Sequence, residues 1–418
     1  MPEPATTTAR APGGVPHGDG TRRLRGPGGR RLRVAHLTTV DMSLHLLLGT
    51  ELSVDVASGL EVYGLSAPGR YVPLIEERGV THVPLRRLTR AWDPAADAAA
   101  AAELLAALRR LRLDVLHTHN PKTGVLGRLL GRAAGVPVVV NTCHGLWLRP
   151  GDGAARRGLV LGAETLAGRV SHAELYQNGA DRERLAWAVP RARSRVAGNG
   201  VDLDRFRPDP AARRAVRARL GVRDGELLVG GVGRRVAEKG VPEYVAAAAR
   251  LAGDRRGGPG EGAGPAVHFV WAGPEDPDKP DAVPAAGAAG PVRWLGEWRD
   301  MPAFYSALDV FVLPSHREGF SRSAMEAAAC GLPMVLSDIR GCREIGRHER
   351  ELLLTPPGDA ERLAGAVDRL LRRPELRARL GRAARERAAR EFDQRRVARL
   401  SLDTYAAVAR RRGLGWTG

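Results

Sequence analysis

Lysine is almost absent from this chain of 418 residues, although the chain is strongly basic. It occurs only at Lys122, Lys239 and Lys279, so arginine supplies nearly all of the 65 basic residues and the formal net charge of +18. Such a charge suits nucleic acid, anionic lipid or an anionic substrate; a general arginine bias of the composition is the alternative. Aromatic residues are only 5% of the chain, which argues against base-stacking modules and so against a nucleic-acid partner.

Cysteine and long apolar runs are also scarce. Cys143, Cys330 and Cys342 show no metal-ligand or redox spacing, which predicts reduced thiols in a cytoplasmic protein. No run of about eighteen apolar residues occurs, so we expect no membrane-spanning helix. Residues 1–30 are rich in Pro, Gly and Arg and predict a disordered basic tail, not a signal peptide. The stretch 154–169 could lie on anionic lipid at the inner face of the cell membrane, or be an ordinary surface helix.

Strand-like and helix-like segments alternate through the remaining chain, and its length suits two domains. We predict an α/β fold of two doubly wound, Rossmann-like domains with parallel sheets, covering residues 31–199 and 200–395. A C-terminal helix at 396–418 would cross back to the first domain. The segment VDVASGL (54–60) reads as a strand, and the low-complexity insert GDRRGGPGEGAGPA (253–266) as a surface loop.

Four polar motifs each follow a predicted strand directly: HTHN, TCHG, GVGRR and LPSHREG. In open α/β sheets, ligands bind beyond the carboxyl ends of the strands. We therefore expect these motifs to line a substrate cleft between the two domains.

Two cations follow the glycine-flanked strand LLVGGVG, namely Arg234 and Lys239. Beside a diphosphate each could contribute roughly 4 kcal/mol of attraction at about 4 Å and an effective dielectric of about 20, before desolvation. Solvated loop charges are the alternative, but the scarcity of lysine favours a diphosphate site. Arg235 is expected to be a neighbour, not a ligand.

Two glutamates, Glu318 and Glu326, flank a helix start in HREGFSRSAME. Glu326 also fits a helix capping box that begins at Ser323. The glycine that follows Glu318 lets a ligand approach the backbone, and the helix start suits a phosphate. Because carboxylates repel phosphate, the two glutamates should face sugar hydroxyls.

Histidines and an aspartate at strand ends form the remaining candidates. His144 ends VVVNTCHG and could bond a sugar hydroxyl or stabilise charge at a reacting centre; a structural histidine is the alternative. His117 and His119 share one face of their strand, and His119 lies nearer its end. Asp41 follows the first strand and could meet an acceptor, although capping of the next helix is the alternative.

Several of these segments closely resemble the retaining glycosyltransferases of family four, which have the GT-B fold, two Rossmann-like domains facing a central cleft. The segments are GNGVDLDRFRPD, VGRRVAEKGVPE, VRWLGEW and EGFSRSAMEAAACGLPMV. HTHNPKTGVLGRLLGRAAGVPVVVNTCHG resembles the amino-terminal half of members that act in cell-surface or exopolysaccharide synthesis. The resemblance covers roughly residues 31 to 410. Many relatives carry a paired-glycine loop after the first strand, where this chain has TTVDMSLHLLL, so the contacts of that loop are not carried over.

The resemblance implies a role for each charged residue of the donor site. Arg234 and Lys239 would hold the diphosphate of the donor. Glu318 would contact the donor sugar and, with His144, count as a catalytic residue, whereas Glu326 would bind the ribose hydroxyls.

It also implies contacts made by backbone and apolar groups. Gly319, Phe320 and Ser321 would offer backbone N–H groups near the phosphate or the sugar. The segment around Leu295 would lie beside the base. His119 and Asp41 remain candidates for the acceptor or sugar side.

The implied activity is transfer of a hexosyl or N-acetylhexosaminyl group from a nucleotide diphosphate sugar, with UDP the expected nucleotide, to a hydroxyl acceptor. The expected partners are the nucleotide-sugar and a glycan or lipid-linked acceptor, with peripheral contact to an anionic membrane. No metal or other cofactor is expected at the donor site. Two alternatives are a nucleotide-sugar epimerase on the same fold and a basic binding protein without activity.

Overall fold

The structure is a computed structural model that describes residues 23–89, 93–119, 121–148, 151–254, 265–277, 279–284 and 290–418. By contacts between α-carbons the chain divides into two units. The first contains Met1–Thr118, Leu129–Val140 and Ala398–Gly418, and the second contains His119–Arg128 and Asn141–Val397. This division differs from the one predicted at residue 199, because 141–199 belong to the second unit; the predicted boundary stays a prediction.

The amino-terminal part of the chain alternates strands and helices. In chain order these are β1 (Arg33–Val40), α1 (Asp41–Leu46), α2 (Gly49–Ala57), β2 (Glu61–Ala67), α3 (Val72–Glu76), β3 (Thr81–Pro84), α4 (Pro94–Leu111), β4 (Val115–His119), α5 (Pro121–Ala133), β5 (Val138–Cys143), α6 (Ala154–Val170), β6 (Ala173–Tyr176), α7 (Gly179–Arg184) and β7 (Ser194–Val196). Helix α4 starts at Pro94 after Asp93, whose side chain caps the N–H groups of Ala95 and Ala96.

Within the described residues, the first sheet has seven strands in the order β3-β2-β1-β4-β5-β6-β7. Strand β1 pairs in parallel with both β2 and β4, and His36 lies opposite His117 in the β1–β4 register. The strand order reverses beside β1, as in doubly wound folds. The buried faces of β1 and β4 pack against α4 through apolar residues that include Leu37, Leu104 and Leu116.

The prediction of a strand at 54–60 is wrong. Helix α2 continues through Ala57, and a turn follows it. Its buried residues include Leu52, Val54 and Asp55, so the segment is placed by the helical face that it buries and not by the β-branched residues that suggested a strand.

The second part of the chain repeats the alternation. Its elements are α8 (Pro210–Arg219), β8 (Leu227–Val232), α9 (Val241–Asp254), β9 (Val267–Ala272), β10 (Val292–Trp294), α10 (Met301–Ala307), β11 (Val310–Leu313), α11 (Arg322–Ala329), β12 (Met334–Ser337), α12 (Arg340–Arg343), β13 (Leu353–Thr355), α13 (Ala360–Arg372), α14 (Pro374–Glu391) and α15 (Gln394–Arg411). Within the described residues, these strands form a six-stranded sheet in the order β10-β9-β8-β11-β12-β13.

All neighbouring strands of this sheet pair in parallel, and the order reverses between β8 and β11. These two strands pair directly, with Val229 opposite Val310. Because a topological reversal opens a crevice at the carboxyl ends of the strands, the loops after β8 and β11 are the ones the fold brings to a ligand-binding position. Apolar cores cover both faces of the sheet, with Phe304 and Phe311 in one and Tyr244 and Trp271 in the other.

The residues expected in a disordered tail are partly ordered. Leu24 is buried, and the backbone N–H of Arg25 donates to the carbonyl of Thr417 at 2.8 Å. Residues 1–22 and most of the predicted loop at 253–266 lie outside the described residues. In the described part of the chain, every helix falls short of the length or the apolarity needed to span a bilayer.

Candidate functional site

The loop after β8 is held by close backbone contacts. Trp271 donates from its indole N–H to the carbonyl of Gly233 at 2.8 Å. Gly240 has φ of +73°, and a Cβ there would lie 2.0 Å from the carbonyl oxygen of Pro314. Only glycine permits both this conformation and this approach. The loop from 233 to 240 is thereby fixed against the segment that follows β11.

In the described part of the chain, four ion pairs connect this loop to its surroundings, and one of them joins Arg235 to Glu275. Lys239 Nζ lies 2.6 Å from Glu318 Oε1, and Arg317 pairs with Glu238 at 3.1 Å. Arg234 Nη1 lies 2.5 Å from Asp276 Oδ2. The Lys239–Glu318 pair is mostly shielded from solvent, with 21% and 11% of the side chains exposed. The structure thus brings together Lys239 and Glu318, whereas Arg234 turns to the loop after β9.

Arg235 lies beside these cations but points elsewhere. Its side chain is buried, donates from Nε to the carbonyl of Val283 at 2.8 Å, and stacks over Trp294. A guanidinium with these partners supports the loop from within.

Glu326 has a different environment from the one a capping box would give it. Helix α11 is capped by Ser321, whose side chain accepts from the N–H of Ala324. Glu326 instead accepts from the hydroxyl of Tyr305 at 3.0 Å and from Arg322 Nε at 3.2 Å. The capping-box alternative is therefore wrong, because the N-cap is Ser321, two residues before Ser323.

Burial controls the ionisation of this carboxyl group. Desolvation raises the pKa of Glu326 above the ordinary 4.5, although the hydrogen bond from Tyr305 and the charge of Arg322 oppose the rise. Burial and the neighbouring Glu326 carboxylate also raise the pKa of Tyr305. Tyr305 is therefore a neutral donor at physiological pH, and it orients the Glu326 carboxylate.

The three residues that directly follow Glu318 have distinct roles. A Cβ at Gly319 would lie 2.5 Å from the carbonyl oxygen of His144, so a close backbone approach requires glycine there. Phe320 is buried and packs edge-on against Phe392 at 5.7 Å. Ser321 caps α11, which leaves its backbone, and not its hydroxyl, as the group that could meet a ligand.

A polar chain runs through His144. The amide Nε2 of Gln177 lies 2.8 Å from Nδ1 of His144, and Nε2 of His144 lies 3.1 Å from Nδ1 of His119. With the amide donating to Nδ1, neutral His144 carries its proton on Nε2 and donates to His119. Gln177 was missed in the sequence, where its position directly after the short strand AELY was the available signal.

His144 and the segment after Glu318 are brought side by side. Besides the approach of Gly319 to His144, Asn178 donates to the carbonyl of Gly319 at 3.4 Å. Asn178 also bonds Asp181, which is buried and pairs with Arg340 at 2.5 Å. The backbone of His144 therefore lies against the residue that directly follows Glu318.

The remaining candidates lie apart from these contacts. Leu295 donates its backbone N–H to Trp271 at 2.9 Å and lines a cavity of about 570 Å³ with Arg219 and Trp298. Asp41 belongs to the first unit, where its carboxylate accepts from the N–H groups of Met42 and Tyr71 at 2.8 and 2.7 Å. It is the first residue of α1, so these bonds give it a structural role in its own unit.

Two family descriptions match the chain. "Glycosyltransferase Family 4" matches residues 56–205, and "Glycosyl transferases group 1" matches residues 212–387. The second match contains both ion-paired loops, and the first contains His119, His144 and Gln177.

Known proteins match over most of the chain. D-inositol 3-phosphate glycosyltransferase of Saccharomonospora viridis is 35% identical over 320 residues, which cover 72% of each protein. Sucrose-phosphate synthase from Thermosynechococcus elongatus superposes with a TM-score of 0.76 at 22% identity, covering 91% of this chain and 100% of that one. HepE from Anabaena, in complex with UDP and glucose, gives a TM-score of 0.72 at 19% identity, with coverage of 90% and 100%.

Proposed function

The chain belongs to family four of the glycosyltransferases and has their GT-B fold, and from this premise we propose that it transfers a hexosyl or N-acetylhexosaminyl group from a UDP-sugar to a hydroxyl acceptor with retention of anomeric configuration. One observation carries the proposal. The loops after β8 and β11 meet at the reversal of strand order, and Lys239 of one pairs with Glu318 of the other. A diphosphate needs the cation and a sugar needs the carboxylate.

Arg234 and Lys239 stabilise the leaving diphosphate in this proposal. As the bond between the anomeric carbon and the diphosphate oxygen breaks, the oxygen keeps the electron pair, and fixed cations stabilise that charge. The acceptor oxygen bonds to the anomeric carbon from the same face, and its proton passes to the departing diphosphate oxygen. Glu318 is paired with Lys239, which makes it a poor covalent nucleophile and suits it to sugar hydroxyls.

Glu326 and His144 complete the proposed donor site. The Glu326 carboxylate, oriented by Tyr305, binds the ribose hydroxyls. His144, beside Gly319, donates to or accepts from the sugar near the reacting carbon. Because protein cations supply the charge that a diphosphate needs, we propose that the transfer itself uses no added metal ion.

The acceptor is proposed from the resemblance of the amino-terminal half to enzymes of cell-surface polysaccharide synthesis: a glycan or lipid-linked glycan. Individual exposed apolar side chains support contact with an anionic membrane. The exposed fractions are 75% for Leu159, 57% for Leu166 and 64% for Trp187. Two exposed arginines accompany them: Arg157 is two residues from Leu159 in sequence, and Arg169 lies over the ring of Trp187. Apolar side chains beside arginines suit the interface of such a bilayer.

The experiment that tests the proposal is a matrix of donors and acceptors. Purified chain is incubated with UDP-, GDP- and ADP-sugars against lipid-linked glycans and inositol 3-phosphate, and the products are identified by mass spectrometry and by NMR of the anomeric proton. An α-linked product from an α-configured UDP-sugar, with release of UDP, is expected. A product with inverted anomeric configuration would overturn the proposed retention, and a preference for another nucleotide would overturn the proposed UDP-sugar donor. Donor turnover to an epimer without released UDP would select the epimerase, which the family assignment does not favour.

A further inference from the structure

The first unit buries a group of metal-ligating side chains that the proposed transfer does not use. His36 on β1 and His117 on β4 lie opposite each other in register, and their ring centroids are 5.3 Å apart. Glu51 and Asp55 are four residues apart on α2, so both project from one face of that helix. These four side chains come from three elements and meet in one buried place.

Distances within the group suit a single ion. Ligand atoms of His36, Glu51 and His117 all lie within 4.8 Å of one another. A point between three such atoms is at most about 2.8 Å from each, and shifts of about 0.7 Å would reach the 2.0–2.2 Å that zinc adopts with nitrogen and oxygen ligands. Two histidines and one glutamate form a known type of zinc ligand set.

The carboxylates are incompletely satisfied without an ion. Asp55 is fully buried, and its Oδ2 lies 2.9 Å from Nε2 of His36, while its Oδ1 has no hydrogen-bond partner. Oε1 of Glu51 is also buried and has no hydrogen-bond partner; it lies 3.4 Å from Nδ1 of His117. Buried carboxylate oxygens are normally paired or bound to metal. A dication would neutralise both carboxylates in one step.

Further contacts would orient these ligands. The Tyr405 hydroxyl lies 2.7 Å from Nδ1 of His117 and its ring packs edge-on against the imidazole. Asp55, bonded to His36, has the position of a carboxylate that holds a metal-bound histidine.

We infer that His36, Glu51 and His117 form a binding site for a divalent transition-metal ion of the zinc type in the first unit. The ion would join β1, β4 and α2. Its role would be to stabilise this unit, because metal binding to the folded chain adds directly to folding stability.

The test uses the full chain, purified without a metal-affinity tag. Zinc is quantified by mass spectrometry after passage over a chelating resin, and the chelator-stripped chain is titrated with Zn²⁺ and Co²⁺. We expect about one zinc per chain, a higher Tm on addition of Zn²⁺, and the visible absorption of tetrahedral Co²⁺. Wild type that holds no zinc and shows no Tm shift with Zn²⁺ would overturn the inference.

Two variants separate this site from adventitious binding. Glu51→Gln keeps the shape of the side chain and should weaken zinc binding about 100-fold. His82→Gln, at a half-buried histidine of β3 in the same unit that bonds Ser66, should leave it unchanged. Equal zinc affinity in Glu51→Gln and wild type would assign the metal to other histidines and reject the site.

Discussion

Lys239 Nζ lies 2.6 Å from Glu318 Oε1 and so joins the loop after β8 to the loop after β11. The two residues were predicted to bind different parts of one donor, a diphosphate and a sugar. Their pairing in the free protein holds both in place before a ligand arrives. It also means that a diphosphate must compete with Glu318 for the ammonium group.

This competition predicts opposite effects of two substitutions. Lys239→Ala removes a charge-assisted contact worth about 1.5–3 kcal/mol, so UDP affinity should fall roughly 10- to 100-fold and transfer should be lost. Glu318→Gln removes a carboxylate that repels phosphate and ties up Lys239, so UDP affinity should stay equal or rise while turnover falls at least about 100-fold. Calorimetric titration with UDP and initial rates measure both.

Circular dichroism and thermal melting control for folding in both variants. If Glu318→Gln lost UDP affinity as strongly as Lys239→Ala, the carboxylate would belong to the nucleotide site and not to the sugar site. Wild-type turnover in purified Lys239→Ala would remove the whole assignment.

The buried Glu326 carboxyl predicts that UDP affinity falls at acid pH; the pH at which this fall occurs is called the acid limit below. Burial raises its pKa above the ordinary 4.5, so the carboxyl becomes protonated at a higher pH than an exposed glutamate and loses an acceptor for the ribose hydroxyls. UDP affinity should therefore weaken as pH falls through this raised pKa. Glu326→Gln should bind about tenfold more weakly at neutral pH, as expected for loss of a hydrogen bond to a charged group.

The difference between wild type and Glu326→Gln is the quantity to follow, since the phosphate of UDP also titrates, near pH 6. Tyr305→Phe is a control for which the direction of the pH shift is predicted. The Tyr305 hydroxyl favours the ionised form of Glu326, so its removal should move the acid limit to higher pH. A limit that stays in place would show that another group causes it.

The sequence located the donor loops because general rules apply to them. The sequence itself shows glycines at strand ends, a rare lysine and two glutamates around a helix start. Parallel sheets bring the carboxyl ends of their strands to one edge. That reasoning placed both motifs beyond the ends of predicted strands, and the structure shows that these strands, β8 and β11, are direct neighbours. It did not reach the direct pairing of Lys239 with Glu318, because side-chain contacts between separate loops depend on tertiary packing.

Other features depend on tertiary contacts, which a local sequence pattern does not specify. The segment 54–60 has the β-branched residues of a strand but completes helix α2, because its burial follows the helical face. Ser323 and Glu326 match a capping box, yet Ser321 is the cap, a difference of two residues that local patterns rarely resolve. Gln177 bonds His144 across 33 positions, and no local signal specifies that partner.

Gln177 is expected to set the proton position of His144. Gln177→Glu would put a carboxylate at about the same 2.8 Å from Nδ1, which would favour a proton on Nδ1 and stabilise the protonated imidazole of His144. Turnover at neutral pH should fall and its pH profile should shift upward, while UDP affinity remains unchanged. Rates from pH 5 to 9 and NMR titration of the histidines measure this; an unshifted profile would make Gln177 merely structural.

A side chain at Gly319 should clash with the backbone, and the effect can be compared with the same substitution at a glycine that has open space around it. A Cβ at Gly319 would stand 2.5 Å from the His144 carbonyl oxygen, and backbone atoms cannot rotate away. Gly319→Ala should therefore cost about 1–3 kcal/mol of unfolding free energy and reduce transfer. At Gly365 in α13 nothing lies within 4 Å, so Gly365→Ala should stabilise by up to about 1 kcal/mol. Urea unfolding of both variants gives the comparison, and equal stability would contradict the contact.

The surface of Leu159, Leu166 and Trp187 predicts measurable affinity for anionic vesicles. Replacing Leu159 and Leu166 by Asn removes apolar area from the interface, so partitioning into phosphatidylglycerol vesicles should fall at least about tenfold, or about 1.4 kcal/mol. Leu74→Asn, at a leucine 40% exposed in the first unit, is the matched control and should change little. Binding that vanishes with salt but is unaffected by the leucine changes would reflect the net charge of +18 alone. In that case the chain would adhere to anionic surfaces without a defined docking face.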